Sequence, residues 1–278
     1  MIIKAFIQAN TKQLLGAEIA KACIERHSKI SVKILNVDSM NLGLQNLKYM
    51  RGGVWSTFNP NDLQSFTLVR FLPPTLMDFK GYALVIDPDL FAISDLKPLL
   101  KLAETSDFDI MACQKKNAFD SSVMLINCER LRWLSWKNLL CELSVGSIDY
   151  IDLMSLNLNG LKVQTIERKF NQLDDINDDT VFFHTTNRLT QPWKTGLRID
   201  FARNSPGYSF GIPKLWILKL LGRWPSKYQT HPNSIVESTF FHLAQLALQE
   251  GKINTEDILE MIATGYIRKD FMAKLMKC

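Results

Sequence analysis

Short solid runs of apolar residues, each followed by a polar turn and then a helical stripe, dominate the chain up to about residue 200. Ile2, Ile3, Ala5, Phe6 and Ile7 make a run suited to a buried strand. After the polar turn Gln8-Ala9-Asn10-Thr11, Leu15, Ile19, Ala22 and Cys23 recur at spacings of four and three, the stripe of an amphipathic helix. A second strand, "ISVKILNVD" at 30–38, completes a β-α-β unit, which implies a parallel pair with a right-handed crossover. Further along, the pattern predicts a helix over 63–72 stopped by Pro73-Pro74, a strand at 82–86 and a helix near 95–104. Strands at 108–114 and 121–127, a helix over 129–142, and strands at 162–166 and 180–184 then close the sheet. The expected class is α/β, a mostly parallel twisted sheet flanked by helices, occupying 1–205. Residues 206–278 read as a helical C-terminal extension packed on it. There Pro213 opens a helix through Leu221 with Gly222 stopping it, and Phe240, Leu243 and Ala247 share one face of a helix over Glu237–Glu250. Asn254 is placed to cap a helix at 255–263.

Composition adds limits. The 278 residues are 46% hydrophobic and 22% charged, an ordinary folded globule with a sizeable core. The five cysteines are scattered with no C-x-x-C pair, which argues for a reducing compartment and against a zinc cage or disulfide scaffold. The opening apolar run is too short for a signal peptide, and no stretch approaches the roughly 18 to 20 residues that span a bilayer. A cytoplasmic protein is expected. The net charge of +5 is spread along the chain and lacks the dense basic footprint of a nucleic-acid binder. One segment, 212–228, has two readings. Its Trp216, Ile217, Leu220, Leu221 and Trp224 with interleaved Lys and Arg suit an interfacial helix on an anionic membrane, peripheral to the inner membrane. The plainer reading, a helix packed on the domain or on a partner subunit, is preferred.

The chemistry concentrates where the apolar run Ala83-Leu84-Val85-Ile86 meets Asp87-Pro88-Asp89. The spacing says little, since Asp107-Phe108-Asp109 repeats it. The location says more. In an open parallel sheet, ligands bind beyond the carboxyl ends of the strands. Two carboxylates so close repel unless a cation lies between them or one is protonated. A divalent metal shared with phosphates satisfies both; a helix N-cap is the bland alternative. "TVFFHTTNRLTQPWKTG" at 180–196 repeats the design: a buried strand ends in His184 and runs into a polar loop carrying Arg188 and Lys194 before and after Pro192-Trp193. Such a loop suits closure over a diphosphate, and with no apolar anchor before Pro192 it is expected to be mobile without ligand.

Four stretches in order, "SFTLVRF", "GYALVIDPDLFAISDL", "FDSSVMLIN" and "HTTNRLTQPW", resemble glycosyltransferases of the GT-A fold, close to family eight, the glycogenin and lipopolysaccharide galactosyltransferase type. The resemblance covers residues 1 to about 200. It implies a Rossmann-like GT-A domain that moves a sugar from a nucleotide-diphosphate donor, of the UDP-sugar kind, to an acceptor with retention. It also implies Mn²⁺ (or Mg²⁺) held by Asp87, Asp89 and His184. Gln8, Ala9 and Asn10 would face base and ribose. Arg70, Arg188 and Lys194 would bring positive charge to the diphosphate, with Ile86, Pro88, Ser121, Ser122, Asn187 and Trp193 in the same donor-binding set. Asp120, Ser121, Ser122 and Asp152 would line the sugar pocket, Asp120 and Asp152 acting beside the metal-binding aspartates. The acceptor, glycan, lipid or protein, is not specified, and nucleic acid is not expected.

The sequence departs from that pattern in places. Gln191 stands where the family has a phosphate-contacting Lys, and Asp120 where it has Asn. Leu153 and Met154 interrupt the segment matched by Asp152 and Asn157. Two rivals remain on residues alone. One is a catalytically silent sugar-nucleotide or glycan binding module. The other is a haloacid-dehalogenase-like phosphatase with Asp87 as nucleophile, although Phe91 stands where that class wants Thr or Val.

Overall fold

The computed structural model describes residues 2–201, 208–209, 212–213, 215, 218, 221 and 224–277. Strand β1 (Ile3–Ala9) leads through a 3-10 turn into α1 (Leu14–His27) and β2 (Ser31–Asn36). A hairpin of β3 (Lys48–Arg51) and β4 (Val54–Thr57) follows, then a 3-10 segment at Thr67–Phe71 and α2 (Pro73–Leu76). Next come β5 (Tyr82–Ile86), β6 (Leu90–Ala92), α3 (Lys97–Thr105), β7 (Ile110–Lys115) and β8 (Ala118–Asn127). Helices α4 (Trp136–Val145) and α5 (Tyr150–Met154) precede β9 (Val163–Ile166), β10 (Gln172–Leu173) and β11 (Phe182–His184).

The main sheet has six strands in the order β2-β1-β5-β8-β7-β9. β1 pairs in parallel with β2 and β5, and β7 with β9, whereas β8 runs antiparallel to both neighbours. The α/β, mostly parallel architecture is therefore as the apolar runs predict. Central strands are buried on both faces, which explains why they read as solid hydrophobic runs and not as alternation. Leu84 and Ile86 of β5 face one core cluster with α1 and the C-terminal helices. Ala83 and Val85 face the other, with Leu68, Phe71, Leu139 and Leu153. The strand's two-residue period sends one apolar set to each side.

Several expected elements differ. Pro73 and Pro74 do not stop a helix; they open α2, where a missing N–H costs nothing. Residues Phe182–His184 do not close the main sheet. They form a separate three-stranded sheet with β10 and β6, with His184 opposite Leu90. The β3–β4 hairpin turns on Gly52-Gly53, both at positive φ (60° and 78°). Both glycine N–H groups donate to the Asp149 carboxylate at 2.9 Å.

In the C-terminal part, the helices Ser234–Gln249 and Thr255–Ala263 match the apolar spacing, and Asn254 caps the second by accepting from the Asp257 N–H at 2.8 Å. Phe240, Leu243 and Ala247 are buried and belong to the same cluster as α1. Pro213 lies in a two-residue strand paired with Tyr208–Ser209, and the helix expected from it through Leu221 falls largely outside the described residues. Most of the 214–223 stretch lies outside the described residues, including Trp216, Ile217 and Leu220. Among the described residues no helix is long and apolar enough to cross a membrane.

Candidate functional site

The DPD turn follows β5 directly, and the approach of α1 beneath it is close. A Cβ on Gly16 would lie 2.5 Å from the Pro88 carbonyl oxygen and 3.3 Å from the Trp193 ring. Only a residue without a side chain lets the helix reach this position. Opposite the turn, the antiparallel pairing of β11 with β6 delivers His184 beside Asp89: its Nε2 lies 3.2 Å from Asp89 Oδ1. One ligand atom each from Asp87, Asp89 and His184 fall within 4.8 Å of one another. Sequence spacing, 95 residues between Asp89 and His184, gives no hint of this; the small second sheet creates it.

These residues floor a cleft of about 280 Å³ that is also lined by Arg70, Pro88, Asp120, Ser121, Ser122 and Arg188. Arg70 is buried and forks onto Asp87, Nε donating to Oδ1 at 2.9 Å and Nη2 pairing with Oδ2. Its Nη1 donates to Ser121 Oγ at 2.9 Å. Gln8 Nε2 donates to Asp87 Oδ1 at 2.5 Å. Burial pushes the Asp87 carboxyl upward, while Arg70 opposes that push. Burial also works against the His184 charge, but Asp89, Asp87 and Asp120 together outweigh it and hold the imidazole above its ordinary value.

The residues present fit a divalent cation. Asp87 and Asp89 bring two negative charges and Arg70 one positive, so a divalent ion would turn the cleft net positive, suited to an anionic ligand. Asp87 Oδ1 already accepts twice, from Gln8 and Arg70, but Oδ2 accepts once and keeps a lone pair. His184 Nδ1 is occupied by Asn171 Oδ1 at 2.9 Å, which leaves Nε2 toward the carboxylates. Hard oxygens with one imidazole suit Mn²⁺ or Mg²⁺.

Other candidates lie elsewhere. Asp152 is half-buried in a different cleft beside Asp149 and Asn157, because α5 turns it away; Met154 faces the Arg70 guanidinium instead. Trp193 is fully buried against Phe91 and Phe240, a core tryptophan. Lys194 is 1% exposed and pairs with Asp200 at 3.1 Å, so its ammonium does not meet the cleft. Burial pulls its pKa down, and Asp200 opposes this. Ile86 and Ala9 are core residues, and Gln8 supports Asp87 from beneath. Asn10 ties the 62–65 segment through its Nδ2, leaving its own amide oxygen without a donor among the described residues. Asn187 is exposed and caps the 3-10 turn at 188–190.

The 185–191 loop is fastened, contrary to its polar look. The Thr185 N–H donates to the Asp89 carbonyl at 3.0 Å, Thr186 Oγ1 donates to Asp174 at 2.5 Å, and the Gln229 N–H donates to the Leu189 carbonyl at 2.7 Å. Gln191 points inward, donating to Asp89 Oδ2 at 3.1 Å and accepting from Gln13 at 3.3 Å. Gln13, Lys115 and Asn171 escaped the sequence reading. The first is an ordinary residue at a helix start, and the others belong to no recognisable pattern.

No protein-family model matches the chain. Protein CDI of Arabidopsis thaliana is 28% identical over 112 residues, 40% of this chain and 40% of that relative's length. Among solved structures, galactosyltransferase LgtC in complex with donor and acceptor sugar analogs overlaps 69% of this chain and 89% of its own. It has a TM-score of 0.44 and 14% identity. Glycosyltransferase GlyE of Streptococcus pneumoniae overlaps 84% of this chain and 67% of its own, with a TM-score of 0.48 and 14% identity.

Proposed function

We infer that the protein is a metal-dependent glycosyltransferase of the GT-A type, similar to family eight, acting on a nucleoside-diphosphate sugar. The observation that carries this is the convergence of Asp87, Asp89 and His184 at the carboxyl end of β5, in one cleft with Arg70 and Arg188. A divalent ion bound there would supply Lewis-acid stabilisation of a departing diphosphate. Arg188 would add positive charge from the loop side, and Arg70 would hold Asp87 in place while neutralising it. The buried amide oxygens of Asn10 and Gln13, without a donor among the described residues, are acceptors that a nucleobase or ribose beyond the end of β1 would satisfy. UDP as the nucleotide, Mn²⁺ as the ion and retention of configuration are the finer parts of this reading. The acceptor and any membrane contact through 212–228 are outside it.

A second reading, a binding module without turnover, is favoured by one observation: Met154 occupies the Arg70 side of the cleft and Asp152 is absent from it. The phosphatase reading fares worse. Phe91, where that class wants Thr or Val, is fully buried in the core, and Asp87 is tied by Arg70 through both oxygens, with one lone pair of Oδ2 left over. The test is a panel of nucleotide sugars with and without Mn²⁺, followed by calorimetry with the free nucleoside diphosphates. Metal-dependent release of sugar supports the transferase; tight metal-dependent binding with no release supports the module. No binding of any nucleotide by folded, metal-loaded protein would end the transferase and the sugar-nucleotide module together.

A further inference from the structure

Asn171 is fully buried at the end of the 3-10 turn Arg168–Phe170, where its N–H donates to the Arg168 carbonyl at 2.8 Å. Its amide is oriented from behind. Nδ2 donates to Asp120 Oδ2 and to Ser122 Oγ, both at 3.1 Å. The Ser122 hydroxyl spends its own hydrogen on Asp120 Oδ1 at 2.7 Å, so toward Asn171 it acts as an acceptor. The nitrogen of the amide is therefore committed, and the oxygen must face His184 Nδ1, 2.9 Å away. An oxygen accepts; the ring nitrogen opposite it carries the hydrogen.

Asp120 is saturated by the same arrangement. Oδ1 accepts from the Ser122 N–H and hydroxyl, and Oδ2 from Asn171 and the Lys115 ammonium at 2.7 Å. Four acceptor sites meet four donors, leaving none for a sugar hydroxyl. The carboxylate anchors the amide.

We propose that Asn171, braced by Asp120, is a positioning residue that fixes His184 as the Nδ1–H form and so aims Nε2 at the space between Asp87 and Asp89. This rests on the metal reading above and deepens it. An imidazole held by an acceptor at one nitrogen is the arrangement that orients a metal ligand and raises its donor strength. Asn171 touches neither ion nor substrate; its effect passes through the ring.

The experiment measures Mn²⁺ binding by calorimetry for the wild type, Asn171→Ala and the exchange variant Asp120→Asn/Asn171→Asp. The exchange keeps an acceptor opposite Nδ1 and a donor–acceptor pair behind it. Asn171→Ala should weaken Mn²⁺ binding about 10- to 100-fold, and the exchange should recover most of that loss. Long-range ¹H–¹⁵N spectra of the wild-type histidine rings, with diamagnetic Mg²⁺ bound, should show His184 protonated at Nδ1 alone. A purely structural role would lower the metal-free melting temperature without weakening Mn²⁺ binding by the folded variant. Undiminished Mn²⁺ affinity in Asn171→Ala, or a proton on Nε2 in the loaded wild type, overturns the proposal. Should Asn171→Ala not fold, Asn171→Ser, which keeps a polar group but is too short to bridge Asp120 and Nδ1, takes its place in the same comparison. A wild type that binds no Mn²⁺ sinks the metal reading and this role together; one that binds with Asn171→Ala unchanged sinks this role alone.

Discussion

At the scale of single residues, Arg70 is the side chain whose loss should be felt most widely. Its guanidinium is buried with Asp87 and reaches Ser121, so Arg70→Ala leaves a buried carboxylate without its counter-charge. Breaking such a pair from one side costs about 3–5 kcal/mol, which urea unfolding would register. Asp120 gives a pH signature. Burial works against its charge, but Lys115, His184 and Ser122 outweigh burial and hold the carboxyl well below the usual range. A folded pKa below the unfolded value of about 3.9 means the stabilisation is complete above that pH and is lost as pH falls through the folded pKa. The wild type should therefore lose stability steeply on acidification below about pH 4, whereas Asp120→Asn should start lower at neutral pH and show a flatter acid limb. Urea midpoints measured at the two pH values check this. Asp87, Asp89 and His184 could be picked out in the sequence because each ends an apolar strand. Asn171 could not, since its partners lie 13, 49 and 51 residues away and a lone amide after Phe170 carries no pattern.

At the scale of elements, the junction of α1 with the DPD turn is the tightest fit around the cleft. Gly16→Ala would drive a methyl group into the Pro88 carbonyl, a backbone atom that cannot swing aside. Overpacking of this sort costs about 1–3 kcal/mol, and the turn carrying Asp89 must shift. We expect weaker Mn²⁺ binding together with a lower melting temperature. Asn254→Ala is the contrasting case: it removes a helix cap remote from the cleft and should cost about 1 kcal/mol while leaving metal affinity unchanged. Long apolar strands such as β5 and β8 were legible because both of their faces are buried. Strands of three residues, β6 and β11, were not, since so short a run has no period to read. The β3–β4 hairpin did leave a signal, Gly52-Gly53 between two β-prone runs. The Pro73-Pro74 pair misled because proline both ends helices and begins them, and only the tertiary context of α2 distinguishes the two.

At the scale of the whole molecule, the C-terminal helices share the core of the sheet. Phe240 stacks within 5.0 Å of Trp193 and 5.3 Å of Phe91, centroid to centroid, so the helix Ser234–Gln249 completes the packing behind the cleft. The division at residue 205 suggested by the change of pattern is accordingly not a place to cut. Chain ending there should expose Trp193 and Phe91 and accumulate as aggregate, to be read by sedimentation of the expressed product. Trp193→Ala in the full chain is a milder version, expected to cost about 3–5 kcal/mol by calorimetric melting.

The reversed direction of β8 has a consequence for how the cleft moves. Because β8 runs against its neighbours, its beginning, not its end, supplies Asp120, Ser121 and Ser122; its register with β7 slips there, from Cys113 opposite Asp120 to Ala112 opposite Met124, and from Met124 onward the strand is held between β5 and β7. The Asp87 N–H is itself bonded to the Ser122 carbonyl at 3.0 Å. One wall of the cleft thus leads straight into the sheet's interior, whose doubly paired amides should exchange with solvent only when the whole domain opens. The facing wall, 185–191, is fixed by side-chain and loop hydrogen bonds that can open locally. That second wall is the one able to give way to a ligand, and deuterium uptake should be slow at Met124, paired on both sides, and faster at Asn187 and Arg188.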